Sequence, residues 1–443
     1  MVEGGAFLFL RQLGVNTMSG EKAAIPSKQL EYSIGLLNSA AASGRQGVQG
    51  FGLDPQFAFG ARSLWRWFVL TLTGLVVGCA YVPAIATSGG EVAGYSLRGP
   101  VDSVLARNYL EGRPLPRSLD AERREHLADG DVPSRDELAA VARSYSPDVA
   151  TLLFLETMSA RPQVRGLRAK YEAELREVRR LGLMRARPHP PADMLVLLVP
   201  GWFYLAHGEI TNADFRIQRK LYEQWGIPYQ LVPVLENGTV EQNALIVAAA
   251  IRQASKEHRV YLVSASKSGA EVAVALGREL RPEETQNIVG WLSVVGAVRG
   301  SPLAERVLDP DFCWFVNHQL ANDGFDMAGL RSMQAKRSRP LFDSLHIPPN
   351  VRIVSLVAVP LSGNITPRGW FGYSRLRSHG PNDGLTLLSD ELIPGAVPLL
   401  LPGSDHLLGA QDQRLWSTAI FRVLMDELAA EQPAQTAARE QQP

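Results

Sequence analysis

The segment around Ser266 has the composition expected of a nucleophilic serine. An apolar run, Arg259–Val263, leads directly into Ser264-Ala-Ser-Lys-Ser-Gly269, and a helical pattern follows. A strand, a tight turn and a helix in this order expose a serine hydroxyl at the turn if small residues stand two places before it and two or three after it. Ser266 meets this condition, whereas centring the turn on Ser268 would place Glu271 at a small-residue position. We therefore predict Ser266 as the nucleophile, against the alternative of a serine-rich turn that only caps a helix.

Residues 264–267 also match a second catalytic pattern, the Ser-x-x-Lys of penicillin-binding enzymes. That chemistry places the serine at the start of a helix and needs Ser-Asp-Asn and Lys-Thr-Gly segments further along the chain. Here the Lys-Ser-Gly sequence at 267–269 overlaps the motif itself, so we reject this interpretation.

His406 is the candidate general base. It follows the apolar run Ala396–Leu401 in the sequence Pro-Gly-Ser-Asp-His, and a helical segment, Gln413–Leu428, comes after it. A loop histidine is by default only solvated. The order serine, acid, histidine, with the histidine beyond the last strand, favours a base that takes the serine proton.

Four aspartates compete for the acid that would orient this histidine. Asp323 precedes the apolar run at 351 and so comes too early in the chain, and Asp390 belongs to a helical-looking stretch that it would cap. Asp405 adjoins His406, and neighbouring side chains of an extended loop diverge. Asp383 lies in Asn-Asp-Gly, a turn sequence that projects its carboxylate, and it has the required order. We predict Asp383.

Three further matches give the chain from about 194 to 428 its resemblance to bacterial triacylglycerol lipases and related α/β-hydrolases. They are Asn382-Asp-Gly-Leu385, Gly300-Ser-Pro-Leu-Ala304, and Pro200-Gly-Trp202, where those lipases have His-Gly-x. The resemblance implies that Asp383 is the acid and that the backbone N–H groups of Trp202 and Lys267 form the oxyanion hole. It implies ester hydrolysis through an acyl-enzyme without a cofactor, on a lipid ester, short ester, polyester or thioester.

The elements that must position these residues alternate along the chain. Longer helical segments separate six short apolar runs, which are Met194–Val199, Tyr229–Val234, Arg259–Val263, Ile288–Val295, Val351–Val357 and Val397–Leu401. Such alternation predicts a mostly parallel sheet of about six strands with helices on both faces. This α/β class, with the α/β-hydrolase fold that the resemblance implies, forms its sites at the carboxyl edge of the sheet.

The rest of the chain divides by composition. We expect an over-long leader with a signal peptide at 1–78, a tether at 79–100, a helical extension at 101–190, the hydrolase core at 191–430 and a disordered tail at 431–443. In the extension, Ser134-Arg-Asp-Glu137 fits a capping box and Ser146-Pro147 fits a helix start. The long connection at 300–348 predicts a helical lid or acyl pocket.

Cys79 ends an apolar run of about a dozen residues that follows Arg62 and Arg66. The run is too short to span a bilayer, and its Val-Val-Gly-Cys ending resembles the lipobox of bacterial lipoproteins. That resemblance implies lipid modification of Cys79 and a membrane anchor, at the outer membrane facing the periplasm because Ala80 follows. An uncleaved anchor or a buried helix is the alternative.

Several function classes receive no support from the composition. Lys+Arg and Asp+Glu number 45 each, so net charge gives no reason to expect nucleic acid as a partner. Cys79 and Cys313 make neither a disulfide framework nor a zinc cluster, and the spacing of His207, Glu209 and Asp214 fits no metal site.

The alternative to an enzyme is a non-catalytic lipoprotein that uses the same fold as a binding scaffold.

Overall fold

The computed structural model describes residues 85–309, 327–409 and 412–440 of the 443-residue chain. Some features of the sequence analysis lie outside these ranges: the leader at 1–78, Cys79, Cys313 and Asp323. The lipid anchor therefore stays a prediction. Within the described residues, no helix is long and apolar enough to cross a membrane.

The described chain begins with an antiparallel hairpin of β1 (Ile85–Val92) and β2 (Tyr95–Val101). Our prediction of a tether up to residue 100 is wrong here. Its Gly- and Ser-rich composition hides an Ala93-Gly94 turn in which both residues have positive φ, 49° and 80°, as tight hairpin turns require. Inward-facing residues of β2, such as Val101, then bury against the helices that follow.

Five helices form the predicted extension. They are α1 (Val104–Leu110), α2 (Arg117–Asp129), α3 (Arg135–Ser144), α4 (Pro147–Ala160) and α5 (Pro162–Leu181). The Ser134 capping box forms, and the Ser146 side chain caps α4. Helix α4 is buried on nearly all sides, since apolar residues surround it and it shares one core with Val357 and Leu400 of the sheet. The extension is thus continuous with the core.

The central sheet has six parallel strands in the order β4-β3-β5-β6-β7-β8. They are β3 (Met194–Val199), β4 (Tyr229–Leu231), β5 (Arg259–Ala265), β6 (Ile288–Val294), β7 (Arg352–Val359) and β8 (Val397–Pro402). The prediction of a mostly parallel sheet of about six strands with helices on both faces is confirmed. Because all strands run the same way, their carboxyl ends share one edge.

Helices cover both faces of this sheet. They are α6 (Gly208–Thr211), α7 (Arg216–Trp225), α8 (Val240–Ala254), α9 (Lys267–Val274), α10 (Pro302–Leu308), α11 (Met327–Ser332), α12 (Ala335–Asp343), α13 (Trp370–Leu376) and α14 (Gln413–Glu440). One apolar cluster joins α5, α7 and α14 to the sheet, and another joins α8 and α9 to its opposite face.

The structure differs from two of the sequence-based expectations, one about the segment 300–348 and one about the C-terminal tail. Met333, assigned to the lid or acyl pocket at 300–348, is buried in the core with residues of α8 and α9. The tail expected to be disordered from Glu431 continues α14 to Glu440. Extending an existing helix needs no new nucleation, and Ala, Glu, Gln and Arg, which dominate there, are good helix formers, although Pro433 opposes the helix because it has no amide N–H to donate.

A buried carboxylate ties α4 to the loop after β7. Asp148 accepts hydrogen bonds from the Asp102 amide at 2.8 Å, the Ser362 amide at 2.7 Å and the Ser362 hydroxyl at 2.6 Å. Burial, and next the charge of Asp102, raise the pKa of Asp148 to about 7. An unfolded aspartate has a pKa of about 3.9. The folded state therefore holds this proton more tightly, and the stability that Asp148 contributes falls as pH rises between these two values.

We predict that Asp148→Asn changes the pH dependence of unfolding. The amide does not titrate, so the variant's free energy of unfolding, relative to the parent chain, rises from about pH 4 to about pH 7. Urea unfolding at a series of pH values measures this difference, with exposed Asp129→Asn as the control for loss of one carboxylate. A difference that is constant across this range would contradict the prediction.

Candidate active site

Ser266 occupies a strained turn between β5 and α9. Its φ of 56° and ψ of −122° lie in a region that side chains rarely adopt, and such strain persists only where surrounding contacts impose it. The Ser266 amide donates to the Val294 carbonyl at 3.0 Å, and its carbonyl accepts from the Gly269 and Ala297 amides, each at 3.0 Å. These bonds hold the turn between β5, α9 and the end of β6, as a nucleophile elbow requires.

The serines that flank Ser266 have buried structural partners. Ser264 accepts a hydrogen bond from the Trp291 indole N–H at 2.9 Å. Ser268 donates to the Val199 carbonyl at 2.7 Å and accepts from the Ala265 amide at 2.8 Å. Each hydroxyl thus satisfies a neighbouring polar group, which explains why serine is accommodated at the positions where the Gly-x-Ser-x-Gly pattern has glycine.

At Gly269 a side chain is excluded by the close approach of another backbone segment. A Cβ built at this position would lie 2.9 Å from the Gly296 Cα, so the start of α9 and the turn after β6 touch backbone to backbone. A larger residue would push these segments apart. The same contact brings the Ala297 amide within reach of the Ser266 carbonyl.

His406 lies in the loop after β8 and links two of the predicted site residues. Its Nε2 is 2.9 Å from the Ser266 Oγ, and its Nδ1 is 2.5 Å from the Asp383 Oδ2. The His406 amide also donates to the Asp383 carbonyl at 2.8 Å. The structure therefore brings Ser266, His406 and Asp383 together in the order that the sequence analysis proposed.

The Asp383 carboxylate is fixed by its own turn. Its Oδ1 accepts from the amides of Leu385 at 2.9 Å and Thr386 at 2.8 Å. The side chain is fully buried. The second oxygen, Oδ2, is left for the imidazole, so the turn presets which edge of the carboxylate faces His406.

The two other candidates for the acid that the structure describes bind different partners. Asp390 is buried against two arginines, Arg135 of α3 at 2.5 Å and Arg339 of α12 at 2.8 Å. Asp405 accepts from the Thr366 amide at 2.8 Å and the Leu407 amide at 3.1 Å. Both carboxylates join chain segments to one another, and neither hydrogen-bonds the imidazole.

Electrostatics favour a charged imidazole at this position. Burial alone lowers the pKa of His406, but the charge and hydrogen bond of Asp383, with the charge of Asp405, outweigh it, so this pKa lies above its usual range. A raised pKa means that the site stabilises the imidazolium form. That form is the one that a general base takes when it accepts a proton.

The two predicted oxyanion donors lie at the carboxyl edge of β3 and β5. Lys267 directly follows Ser266, and the turn that carries Trp202 passes so close that a Cβ on Gly201 would lie 3.2 Å from the Ala265 carbonyl oxygen. Among the described residues, the amides of Trp202 and Lys267 donate to no acceptor. An oxyanion hole requires amides of this kind that are not already bonded to another acceptor. The Lys267 side chain is buried and pairs with Glu271.

Glu236 is a site residue that the sequence analysis missed. Its Oε1 accepts from the amides of Leu205 at 2.9 Å and Ala206 at 2.8 Å, and so holds the loop that begins at Trp202. The sequence signal for Glu236 is the turn sequence Glu-Asn-Gly that follows β4. Because β4 pairs with β3, this turn lies at the same sheet edge as the loop that begins at Trp202.

The residues considered for a metal site have other partners. Glu209 pairs with Arg216 at 2.6 Å, and Asp214 pairs with Arg219 at 2.8 Å. Within the ranges that the structure covers, no three His, Cys, Asp or Glu side chains cluster in a way that would hold a metal ion.

Comparison with known proteins gives distant similarity only. No protein-family model and no curated protein matches the chain. A metagenomic carboxyl esterase is 21% identical, with a TM-score of 0.44 over 54% of this chain and 78% of its own. The mature lipase of Bacillus licheniformis is 20% identical, with a TM-score of 0.41 over 54% of this chain and 94% of its own. A phospholipase of Legionella pneumophila is 17% identical, with a TM-score of 0.31 over 45% of each chain. The roles of residues therefore depend on the geometry of this chain itself.

We predict that Ser264→Ala destabilises the fold by leaving the Trp291 indole N–H buried without an acceptor. Such a loss costs about 1–3 kcal/mol of unfolding free energy. Removing both partners in Ser264→Ala/Trp291→Phe should cost less than the sum of the two single changes. Urea unfolding of the four proteins measures this coupling, and strictly additive changes would show that the bond has no energetic role.

Proposed function

We propose that this chain is a serine hydrolase that cleaves carboxylic esters through an acyl-enzyme. The observation that carries the proposal is the position of His406, with Nε2 at 2.9 Å from the Ser266 Oγ and Nδ1 at 2.5 Å from the Asp383 Oδ2. A nucleophile, a base and an acid in this contact sequence form the arrangement of acyl-transfer hydrolases.

In the first half of the reaction, the Ser266 Oγ attacks the ester carbonyl carbon while His406 Nε2 takes the hydroxyl proton. The carbonyl oxygen becomes an oxyanion, and the Trp202 and Lys267 amides donate to it. Each such donor is typically worth about 10²–10³ in kcat. Asp383 holds the imidazole in the correct tautomer and stabilises its charged form.

The tetrahedral intermediate then breaks its bond to the leaving alcohol, which receives the proton from His406. Ser266 is now esterified. In the second half, His406 takes a proton from water as that water attacks the acyl carbon. The acid product leaves, and the proton returns to the Ser266 Oγ. The two halves replace one difficult hydrolysis by two easier acyl transfers.

Two exposed leucines support an apolar substrate. Leu205 is 70% exposed and Leu235 is 53% exposed. Leu205 belongs to the loop that follows Trp202, and Glu236, next to Leu235, binds that loop through two amides. Large exposed apolar side chains at a site edge fit an acyl chain or an apolar alcohol. A polyester or a thioester would react through the same three residues.

We predict that a fluorophosphonate probe labels the parent chain and fails to label Ser266→Ala. The probe needs an activated serine oxygen, which this change removes. Ser268→Ala is the matched control, because its hydroxyl is buried against Val199 and Ala265. It should still be labelled when circular dichroism shows it folded. Labelling of Ser266→Ala at the parent rate would refute the proposal, and absence of label on a folded parent chain would favour the binding scaffold.

We predict that Asp383→Asn lowers kcat by about 10⁴, because the amide favours the wrong imidazole tautomer. Asp390→Asn is the control. It weakens the buried pairs with Arg135 and Arg339 and so lowers stability, yet kcat per folded molecule should stay close to that of the parent. The measurement is the kcat of each variant for ester hydrolysis, corrected for the fraction of the protein that is folded. An inactive Asp390→Asn with an active Asp383→Asn would overturn the assignment of the acid.

A further inference from the structure

Glu391 is a buried acid next to the Asp383 carboxyl group. Its side chain is 1% exposed, and neither of its oxygens receives a hydrogen bond from a donor among the described residues. The Asp383 carboxyl group acts on the pKa of Glu391 through its charge and through a side-chain hydrogen bond. Two ionised carboxylates have no proton to share, so this contact is a hydrogen bond only when one of the two groups is protonated.

The surroundings decide which group holds the proton. Asp383 has two backbone amides and the His406 imidazole as donors, all of which favour its charged form. Glu391 has no such donor. A buried carboxyl without donors and beside a second negative charge favours its neutral form.

The charged groups nearby are already paired. The negative charge of Asp390, the preceding residue in the chain, is bound by Arg135 and Arg339. Arg299 donates to the Leu392 carbonyl and pairs with Asp343 at 2.8 Å. None of these guanidinium groups donates to Glu391. Burial first, then the charge and hydrogen bond of Asp383, then the charge of Asp390, raise the pKa of Glu391 well above its ordinary value.

We propose that Glu391 carries a proton at neutral pH and donates it in a hydrogen bond to Asp383, which makes Glu391 a positioning residue for the His406 base. This inference rests on the proposed function, because it assigns Asp383 the role of orienting His406. The hydrogen bond adds a side-chain donor to the two amides that fix the Asp383 carboxylate. The proton stays on Glu391 throughout the reaction and is not transferred to substrate.

The arrangement has a consequence at alkaline pH. When Glu391 ionises, its hydrogen bond to Asp383 is lost and a second buried negative charge faces the first. Repulsion displaces the Asp383 carboxylate from the imidazole, and small misplacements of catalytic groups cost up to about 10² in rate. Activity should therefore rise with pH as His406 loses its proton, and fall again at higher pH as Glu391 loses its own.

The test compares Glu391→Gln with Glu391→Ala in the full chain. The glutamine amide donates to Asp383 as the protonated acid does, but it does not ionise. Glu391→Gln should keep most of the neutral-pH kcat and lose the alkaline fall. Glu391→Ala lacks the donor and should lose up to about 10² in kcat. Glu427→Gln, a buried acid paired with Lys170 and Arg352, is the control and should keep the parent pH profile.

Infrared difference spectra provide a readout that does not need activity. The parent chain minus Glu391→Gln should show the carbonyl band of a protonated carboxyl group at neutral pH. If the band is present and the parent hydrolyses no ester, the protonation of Glu391 stands and the proposed function fails. If the parent is active, absence of the band, or an alkaline fall that persists in Glu391→Gln, overturns the role of Glu391. Equal kcat losses in Glu391→Gln and Glu391→Ala would also overturn it, since packing alone would then explain them.

Discussion

The backbone conformation of Ser266 is the constraint on which the rest of the site depends. A left-handed φ at a serine is unfavourable, and the hydrogen bonds to Val294, Gly269 and Ala297 impose it. Those bonds exist because the ends of β5 and β6 lie side by side at the carboxyl edge of a parallel sheet. The close contact of Gly269 with Gly296 keeps them in reach. The sheet edge thus holds the half-buried Ser266 in a tight turn, with its hydroxyl within hydrogen-bonding distance of His406.

The base and the acid depend on the same edge. His406 follows β8, and Asp383 lies in the connection from β7 to β8, so neighbouring strand ends deliver both. The amide of His406 binds the carbonyl of Asp383, which fixes the two loops together before their side chains meet. The N-terminal extension contributes through Arg135, whose pair with Asp390 anchors the segment that carries Glu391. The extension therefore contributes to the stability of this segment, and among its described residues none belongs to the proposed triad.

Much of this arrangement follows from the sequence. The six strands are apolar runs, and Ser266, Asp383 and His406 stand in turn sequences after them, so local pattern and chain order were sufficient. The hairpin was missed because two glycines and small residues conceal the period of two in β1. Contacts between residues far apart in the chain could not be predicted, because they leave no pattern in the local sequence. Arg135 and Asp390 are 255 residues apart, and nothing in the sequence pattern around Glu391 indicates that its pKa is influenced by Asp383.

The central claim is that Ser266 becomes acylated during turnover, and trapping that intermediate tests it most directly. The parent chain is mixed with a p-nitrophenyl ester, quenched in acid within the burst phase and digested for mass spectrometry. The account predicts one added acyl group on the peptide that contains Ser266, and none in the same peptide from Asp383→Asn at the same time point. Rapid ester turnover with the acyl group on another residue, or with no acylated peptide at any quench time, would contradict it.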